Sequence, residues 1–296
     1  MSTIAEGGHV MAIGPQGGAW QCYPVGINRA STFRGFCAKH DNQLFAELDD
    51  RDVRPTRLQA FLLGFRALAH ESHKKAVEVS ALPAMESAHR CSDVKNPRGA
   101  ELIEAFRLGN EEGHGEMHRE HEAAWQQLHI GDFSAVACVA YRLTDTPNVV
   151  GAGWVSSEFD FQGRRVQDLR DFSRRVDGTV FFSLPFAGGG GVIGLGWLTR
   201  SKATNLLFRS TLRLTDEEAP HALLRFGVSL SENLYYAPSF WRELSADEEA
   251  WFYSRARLGT PTQPIDARSL LEDGRRIVSW SVVERIVVPP TGPIQS

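Results

Sequence analysis

The chain has 296 residues, of which 42% are hydrophobic and 23% are charged, and its formal net charge is −4. This composition is typical of a soluble globular protein that buries a core. It excludes a generally cationic surface, so nucleic-acid binding would need a local basic patch.

Four widely spaced cysteines stand at Cys22, Cys37, Cys91 and Cys138. The first twenty residues contain no basic segment followed by an apolar run, so we expect no signal peptide. Together these features predict reduced thiols in a cytoplasmic protein, because a disulfide framework belongs to oxidising compartments.

The first part of the chain predicts a small N-terminal segment, residues 1–52, followed by a helical hairpin, residues 53–131. Residues 9–13 suit a strand, and charged residues with Pro55 mark the end of the segment. From Leu58 the apolar residues recur at helical spacing to about Val79, and Pro83 predicts the end of that helix. A second helix is expected to begin near Pro97 and to end before Gly131.

The third part, residues 132–296, predicts an α+β domain with a mostly antiparallel sheet. Strands are expected within 134–143, 149–155, twice within 179–198, and weakly within 277–288. Helices are expected at 203–212 and 238–257, the latter with a capping box from Ser245, while 221–230 fits a strand or a helix. The whole fold class is therefore α+β: a zinc-knuckle-like segment, a helical hairpin and the sheet.

Residues 179–198 carry no charge over a length that could span a membrane. Pro185 and six glycines interrupt this run, which favours two buried strands joined by a glycine turn, and no membrane association is expected. The string Gly189-x-Gly191-x-x-Gly194 matches the dinucleotide fingerprint, but no strand–helix context surrounds it, so a turn is again predicted.

The stretch from Gly26 to Phe45 contains the spacing Cys37-x-x-His40, followed by Asp41. A thiolate and an imidazole at this spacing can bind one Zn²⁺ from a tight turn, although a structural site normally has four ligands. Only one pair is visible, so the alternative is a buried cysteine beside a surface histidine.

The block AST-F-x-GFC-x-x-HD, residues 30–41, resembles a motif in a family of bacterial proteins with an HNH-like, treble-clef N-terminus. Further matches are Gly8-His9-Val10, Leu44-Phe45, Arg66 and Glu71 in the following helix, 231–233 and 238–241. The resemblance implies that Cys37 and His40 complete a structural zinc site. In the family a C-x-x-C pair and a Ser-His dipeptide precede this block, and their positions would lie upstream of Met1. The chain therefore lacks the first zinc pair and the histidine that would activate water.

A second group of candidate metal ligands consists of histidines on the two predicted helices: His70, His73, His114, His118 and His121. Their spacing lets two helix faces converge on a metal ion, as in helical-bundle metalloenzymes. The alternative is a solvated, highly charged helix face.

A basic set could contact phosphates: Arg164, Arg165, Arg170, Arg174 and Arg175. Asp168 and Asp171 interrupt it, so a mixed-charge surface is the alternative interpretation.

The leading hypothesis is thus an HNH-like, nucleic-acid-directed protein of bacterial origin, with structural zinc and without its catalytic residues. The second is a non-enzymatic binding or scaffold protein in which the Cys37 block docks the N-terminal strands onto the hairpin. The third is a helical-bundle metalloenzyme. The sequence predicts neither a substrate nor an oligomeric state.

Overall fold

The computed structural model describes residues 1–30, 35–49, 53–91, 97–171, 173–260 and 263–291. Within these ranges the strands are β1 (His9–Gln16), β2 (Ala19–Gly26), β3 (Ala137–Leu143), β4 (Val149–Val155), β5 (Thr179–Pro185), β6 (Gly191–Trp197), β7 (Leu234–Tyr236) and β8 (Val282–Val288). They form one sheet in the order β2-β1-β7-β4-β5-β6-β3-β8, and every neighbouring pair is antiparallel. The predicted α+β class with an antiparallel sheet is confirmed.

The α-helices in the same ranges are α1 (Ala38–Leu44), α2 (Ala46–Asp49), α3 (Arg57–Cys91), α4 (Pro97–Ile130), α5 (Lys202–Leu212), α6 (Ala219–Leu230), α7 (Pro238–Glu243) and α8 (Ala246–Ala256). The predicted helical hairpin is confirmed as α3 and α4, which pack against each other. None of the helices in the described part of the chain is both long and apolar enough to cross a membrane.

Helices cover both faces of the sheet. On one face Phe61 and Phe65 of α3 pack in a core with Phe182 of β5. On the other face Phe226 of α6 packs in a second core with Phe181. Successive residues of a strand point to opposite faces, so the neighbours Phe181 and Phe182 supply one aromatic ring to each core.

The first half of α3 is buried by the sheet on one side and by α4 and α2 on others. This explains its run of apolar residues from Ala60 to Phe65, because every residue of the run is buried. Gly64 lies so close to the sheet that an added Cβ would be 2.7 Å from Leu198 Cδ2. Thr56 and Gln59 cap its beginning reciprocally: each side-chain oxygen accepts the other's backbone N–H at 3.2 Å.

The predicted end of this helix before Pro83 is wrong, since α3 continues to Cys91. A proline inside a helix removes one backbone hydrogen bond. Pro83 is exposed, so water can reach the backbone carbonyl that lacks its usual donor there.

The predicted single helix over 238–257 is also wrong, because it is divided into α7 and α8. Leu244 and Ser245 have extended backbones, and the Ser245 side chain accepts the Glu248 N–H at the start of α8. The capping box is confirmed, and it begins a new helix where we expected the interior of one.

The glycine turn between β5 and β6 is confirmed. Gly189 and Gly190 have φ angles of 93° and 77°, a region that glycine enters without the strain of a side chain. The uncharged run therefore forms two central strands of the sheet.

The first and third predicted segments share this sheet, since Met11 of β1 lies opposite Tyr236 of β7. The division into 1–52, 53–131 and 132–296 stays a prediction, and residues 50–52 at its first boundary lie outside the described residues.

Candidate functional site: a cleft beside the Cys37 segment

A cleft of about 840 Å³ lies between three parts of the fold: the Cys37 segment (residues 36–49) together with Val53, helix α3, and the strands β4 and β5. Its apolar wall includes Phe36, Leu48, Leu63, Leu184 and Phe186. Its polar lining includes Thr3, Asp41, Asp49, Arg66, His70, Ser183 and Asn233. The lining is about equally polar and apolar, and the volume falls within the range of small-molecule sites.

Aromatic packing fixes the Cys37 segment against α3. The ring centroid of Phe36 lies 5.4 Å from that of Phe45 and 6.0 Å from that of Phe65. Cys37 adopts an extended backbone and precedes α1 as its N-cap residue. The segment is therefore a packed wall of the cleft, and it contacts the helix that the sheet supports.

Arg66 joins the two short helices of this wall to α3. Its Nη2 donates to Asp41 Oδ2 at 3.2 Å, and its Nη1 donates to Asp49 Oδ1 at 2.9 Å. The guanidinium carbon also lies 4.8 Å from the centroid of the Phe45 ring, in a cation–π arrangement. Two ion pairs and one ring contact hold this cation in a single position.

The polar groups on the sheet side of the cleft are occupied by backbone partners. Ser183 Oγ donates to the Val149 carbonyl at 2.6 Å, and Asn233 Nδ2 donates to the Ala152 carbonyl at 2.7 Å. Gly151 allows the backbone of Asn233 to lie close to β4, because a Cβ added at Gly151 would be 2.0 Å from the Asn233 carbonyl oxygen. These two groups shape the wall but are uncharged. The charged group of side chains in the cleft is Arg66 with its partners Asp41 and Asp49.

Cys37 and His40 form an exposed pair next to the cleft. The Sγ of Cys37 lies 3.3 Å from the Nδ1 of His40. Two ligands of a tetrahedral zinc ion, with bonds near 2.3 Å to sulfur and 2.0–2.1 Å to nitrogen, are about 3.6 Å apart. The separation thus fits two ligands of one zinc ion. Ser31, Thr32 and Phe33 of the same family block lie outside the described residues.

Within the described ranges, however, no group of three or more His, Cys, Asp or Glu side chains could hold a metal ion. Zinc bound by Cys37 and His40 therefore stays a prediction.

The histidines of the hairpin are distributed over different surroundings. The ring of His121 stacks on Phe65 with centroids 5.4 Å apart, and burial lowers the pKa of His121, assisted by His118 and opposed by Glu122. His70 lines the cleft, and its Nδ1 lies 3.6 Å from Glu71 Oε1. A shared metal site with His73, His114 and His118 stays a prediction.

Four arginines of the predicted basic set lie within ion-pair distance of acidic side chains. The pairs are Arg164 with Asp160 at 2.7 Å, Arg165 with Asp168 at 3.0 Å, Arg174 with Asp171 at 3.0 Å, and Arg175 with Glu120, whose Oε1 accepts from Nε at 2.8 Å. Arg170 is exposed beside them. This geometry favours the mixed-charge interpretation of the set, and phosphate contact stays a prediction.

The sequence predicts no cleft, although Asp41, Arg66 and His70, which line it, belong to the motif and the candidate ligands named above. Asp49 and Ser183 have no such assignment. Asp49 was noted as part of a charged boundary, and Ser183 lies in a strand whose position in the sheet has no local signal. In comparisons with protein-family models, curated proteins and solved structures, no significant match to this chain was found.

Proposed function

We propose that this chain is a non-enzymatic binding protein that holds a small organic molecule in the cleft between the Cys37 segment, α3 and the sheet. The observation that carries the proposal is the cleft itself, with its volume of about 840 Å³ and its mixed lining. The packing of Phe36 and Phe45 on Phe65 supports the docking role expected of the segment. A cytoplasmic location belongs to the same proposal, and Cys22, Cys37 and Cys138 are free thiols in accordance with it.

An uncharged probe tests the proposal. Naphthylmethanol has an apolar body for the apolar wall and one hydroxyl group for the polar lining. We expect calorimetric titration to detect its binding to the wild-type protein. Ala67 lines the cleft from α3 and Ala187 lines it from the exposed β5–β6 turn. Ala67→Phe and Ala187→Trp would fill part of this space, so both are expected to weaken binding.

The matched control is Ala123→Phe, an exposed position of α4 that does not line the cleft. It adds the same ring as Ala67→Phe and should leave binding unchanged. Circular dichroism checks that each variant is folded. If Ala67→Phe does not fold, Ala187→Trp still provides the test. Undiminished binding in both cleft variants would overturn the proposal. Failure of the wild type to bind this alcohol and also its amine and carboxylate analogues would overturn it too.

A second candidate function is the HNH-like, nucleic-acid-directed protein with a structural zinc ion. The Cys37–His40 separation of 3.3 Å supports it. If it is correct, protein purified without chelators should contain zinc, and Cys37→Ser and His40→Ala should lose it, while Cys22→Ser keeps it. Elemental analysis measures this directly, and wild-type protein without zinc would contradict the idea. Metal that is lost in His118→Ala but kept in Cys37→Ser would instead support the helical-bundle site.

A further inference from the structure

The wall of the cleft made by α1, α2 and α3 carries more negative than positive charge. Asp41 and Asp49 both contact the single guanidinium of Arg66. Aspartate and arginine side chains are ionised at neutral pH, so two carboxylates against one guanidinium leave one negative charge in excess. The side chains of Asp41 and Asp49 are 30% and 47% exposed, so a bound molecule can reach them.

Among the described residues that line the cleft, the other ionisable groups are His70 and the amino group of Met1. The His70 Nδ1 lies 3.6 Å from Glu71 Oε1, so a protonated His70 would be balanced by that neighbouring carboxylate. Met1 lines the cleft from outside this wall, since its side chain packs against the core that contains Phe226, and burial lowers the pKa of its amino group.

Arg66 is a poor receptor for an anion in this arrangement. Both of its terminal nitrogens already donate to carboxylates, at 2.9 and 3.2 Å. An anionic ligand would therefore approach Asp41 and Asp49 as well as Arg66, and like charges repel at this distance. An ammonium group would instead donate to the carboxylate oxygens, and hydrogen bonds to charged groups are the stronger ones.

From this charge balance we infer that the ligand is an organic cation: an amine carried on an apolar, ring-sized body. The amine lies at Asp41 and Asp49, and the body lies against the apolar wall around Leu63, Leu184 and Phe186. This inference rests on the proposed function and adds the chemical class of the ligand.

A series of three probes with the same naphthalene body separates charge from shape: naphthylmethylamine, naphthylmethanol and naphthoate. At neutral pH the amine is protonated and the acid is ionised. We expect the amine to bind about tenfold more tightly than the alcohol, which is a modest electrostatic gain for a partly exposed site, and naphthoate to bind more weakly than both. Added salt should weaken the binding of the amine more than that of the alcohol, because salt screens exposed charges.

The variant Asp49→Asn removes the excess charge and leaves Arg66 with Asp41. It should reduce the affinity for naphthylmethylamine about tenfold, to that of the alcohol, and leave the affinity for naphthylmethanol unchanged. The matched control is Asp216→Asn, an exposed aspartate that pairs with Arg285 and does not line the cleft. It should change neither affinity.

Equal affinities for the amine and the alcohol, or tightest binding of naphthoate, would overturn the cationic ligand while the binding function stands. Absence of binding by all three probes would overturn the proposed function as well. The alcohol therefore distinguishes the two failures.

Discussion

Arg225 is a charged side chain whose exposed fraction is only 2%. It extends from α6 and donates to Asp273 Oδ1 at 3.0 Å, to Glu272 Oε2 at 3.4 Å and to the Leu270 carbonyl at 3.3 Å. Asp273 also accepts from Trp251 Nε1 and Arg255 Nη2 on α8. Arg225 thus connects the segment before β8 to α6, and Asp273 connects the same segment to α8.

Removing this cation should strongly destabilise the fold. Arg225→Ala removes the donor to the buried Leu270 carbonyl and the cation beside Asp273 and Glu272, whose side chains are 21% and 42% exposed. Leaving such groups without their partner typically costs about 1–3 kcal/mol of the free energy of unfolding. Urea denaturation measures the loss. The control is Arg242→Ala, because Arg242 is 66% exposed and pairs with Glu6 at 2.8 Å, and an exposed pair contributes about 1 kcal/mol or less. Similar losses for the two variants would contradict the role given to Arg225.

Among the secondary-structure elements, α8 begins with two reciprocal hydrogen bonds. Ser245 Oγ accepts the Glu248 N–H at 3.3 Å, and Glu248 Oε2 accepts the Ser245 N–H at 2.8 Å. Both donors would otherwise lack an intrahelical partner. This box fixes the helix that presents Trp251 and Phe252 to the core.

Ser245→Ala should therefore lower the free energy of unfolding by about 1 kcal/mol, the usual cost of losing an N-cap. Ser254→Ala is the matched control. Ser254 is an exposed residue of the same helix, and its hydroxyl donates only to the Trp251 carbonyl within that helix. Since alanine is the better helix former, this control should change stability little. A loss in Ser254→Ala as large as that in Ser245→Ala would contradict the capping argument.

Secondary-structure elements that depend on patterns of neighbouring residues could be predicted from the sequence. The way these elements pack together could not. The capping box, the glycine turn and the helical period of α3 all arise from neighbouring residues. The division between α7 and α8 was missed because the helical period crosses Leu244. The cleft needs β4 and β5 beside α3, which are contacts between residues far apart in the sequence. Asp41, Arg66, His70 and Asn233 could therefore be singled out from the sequence, but their meeting in one cleft could not be predicted.

At the scale of the whole molecule, pH should act through His221. It is half-buried on α6, and its Nδ1 has no hydrogen-bond partner in the described structure. Burial lowers the pKa of His221, and Arg276 and Arg225 lower it further while Glu272 and Asp273 oppose them. As the pH falls through about 6.5, this histidine takes up a proton in the unfolded chain but remains unprotonated in the folded chain until the pH is lower. The stability that neutral His221 provides is complete above this pH and decreases below it.

We therefore expect the melting temperature of the wild type to fall more steeply between about pH 6.5 and pH 5 than that of His221→Gln. Burial raises the pKa of Glu120 and Glu116, and these groups change stability with the opposite sign. The comparison with His221→Gln removes their contribution because both proteins share it. His129→Gln, at an exposed position, is the control, and its pH profile should match that of the wild type. Identical profiles for all three would contradict this role of His221.

Helix α3 is much longer than the strands of the sheet, so it connects the cleft at Arg66 to the end of the helix at Cys91. At 35 residues the helix extends about 52 Å, whereas strands of seven residues extend only about 23 Å. The segment from Arg66 to Cys91 alone measures about 37 Å. A tilt of about 5° about Arg66 would displace Cys91 by about 3 Å on this lever arm. Small adjustments around a bound molecule would thus be magnified at the far end of the hairpin.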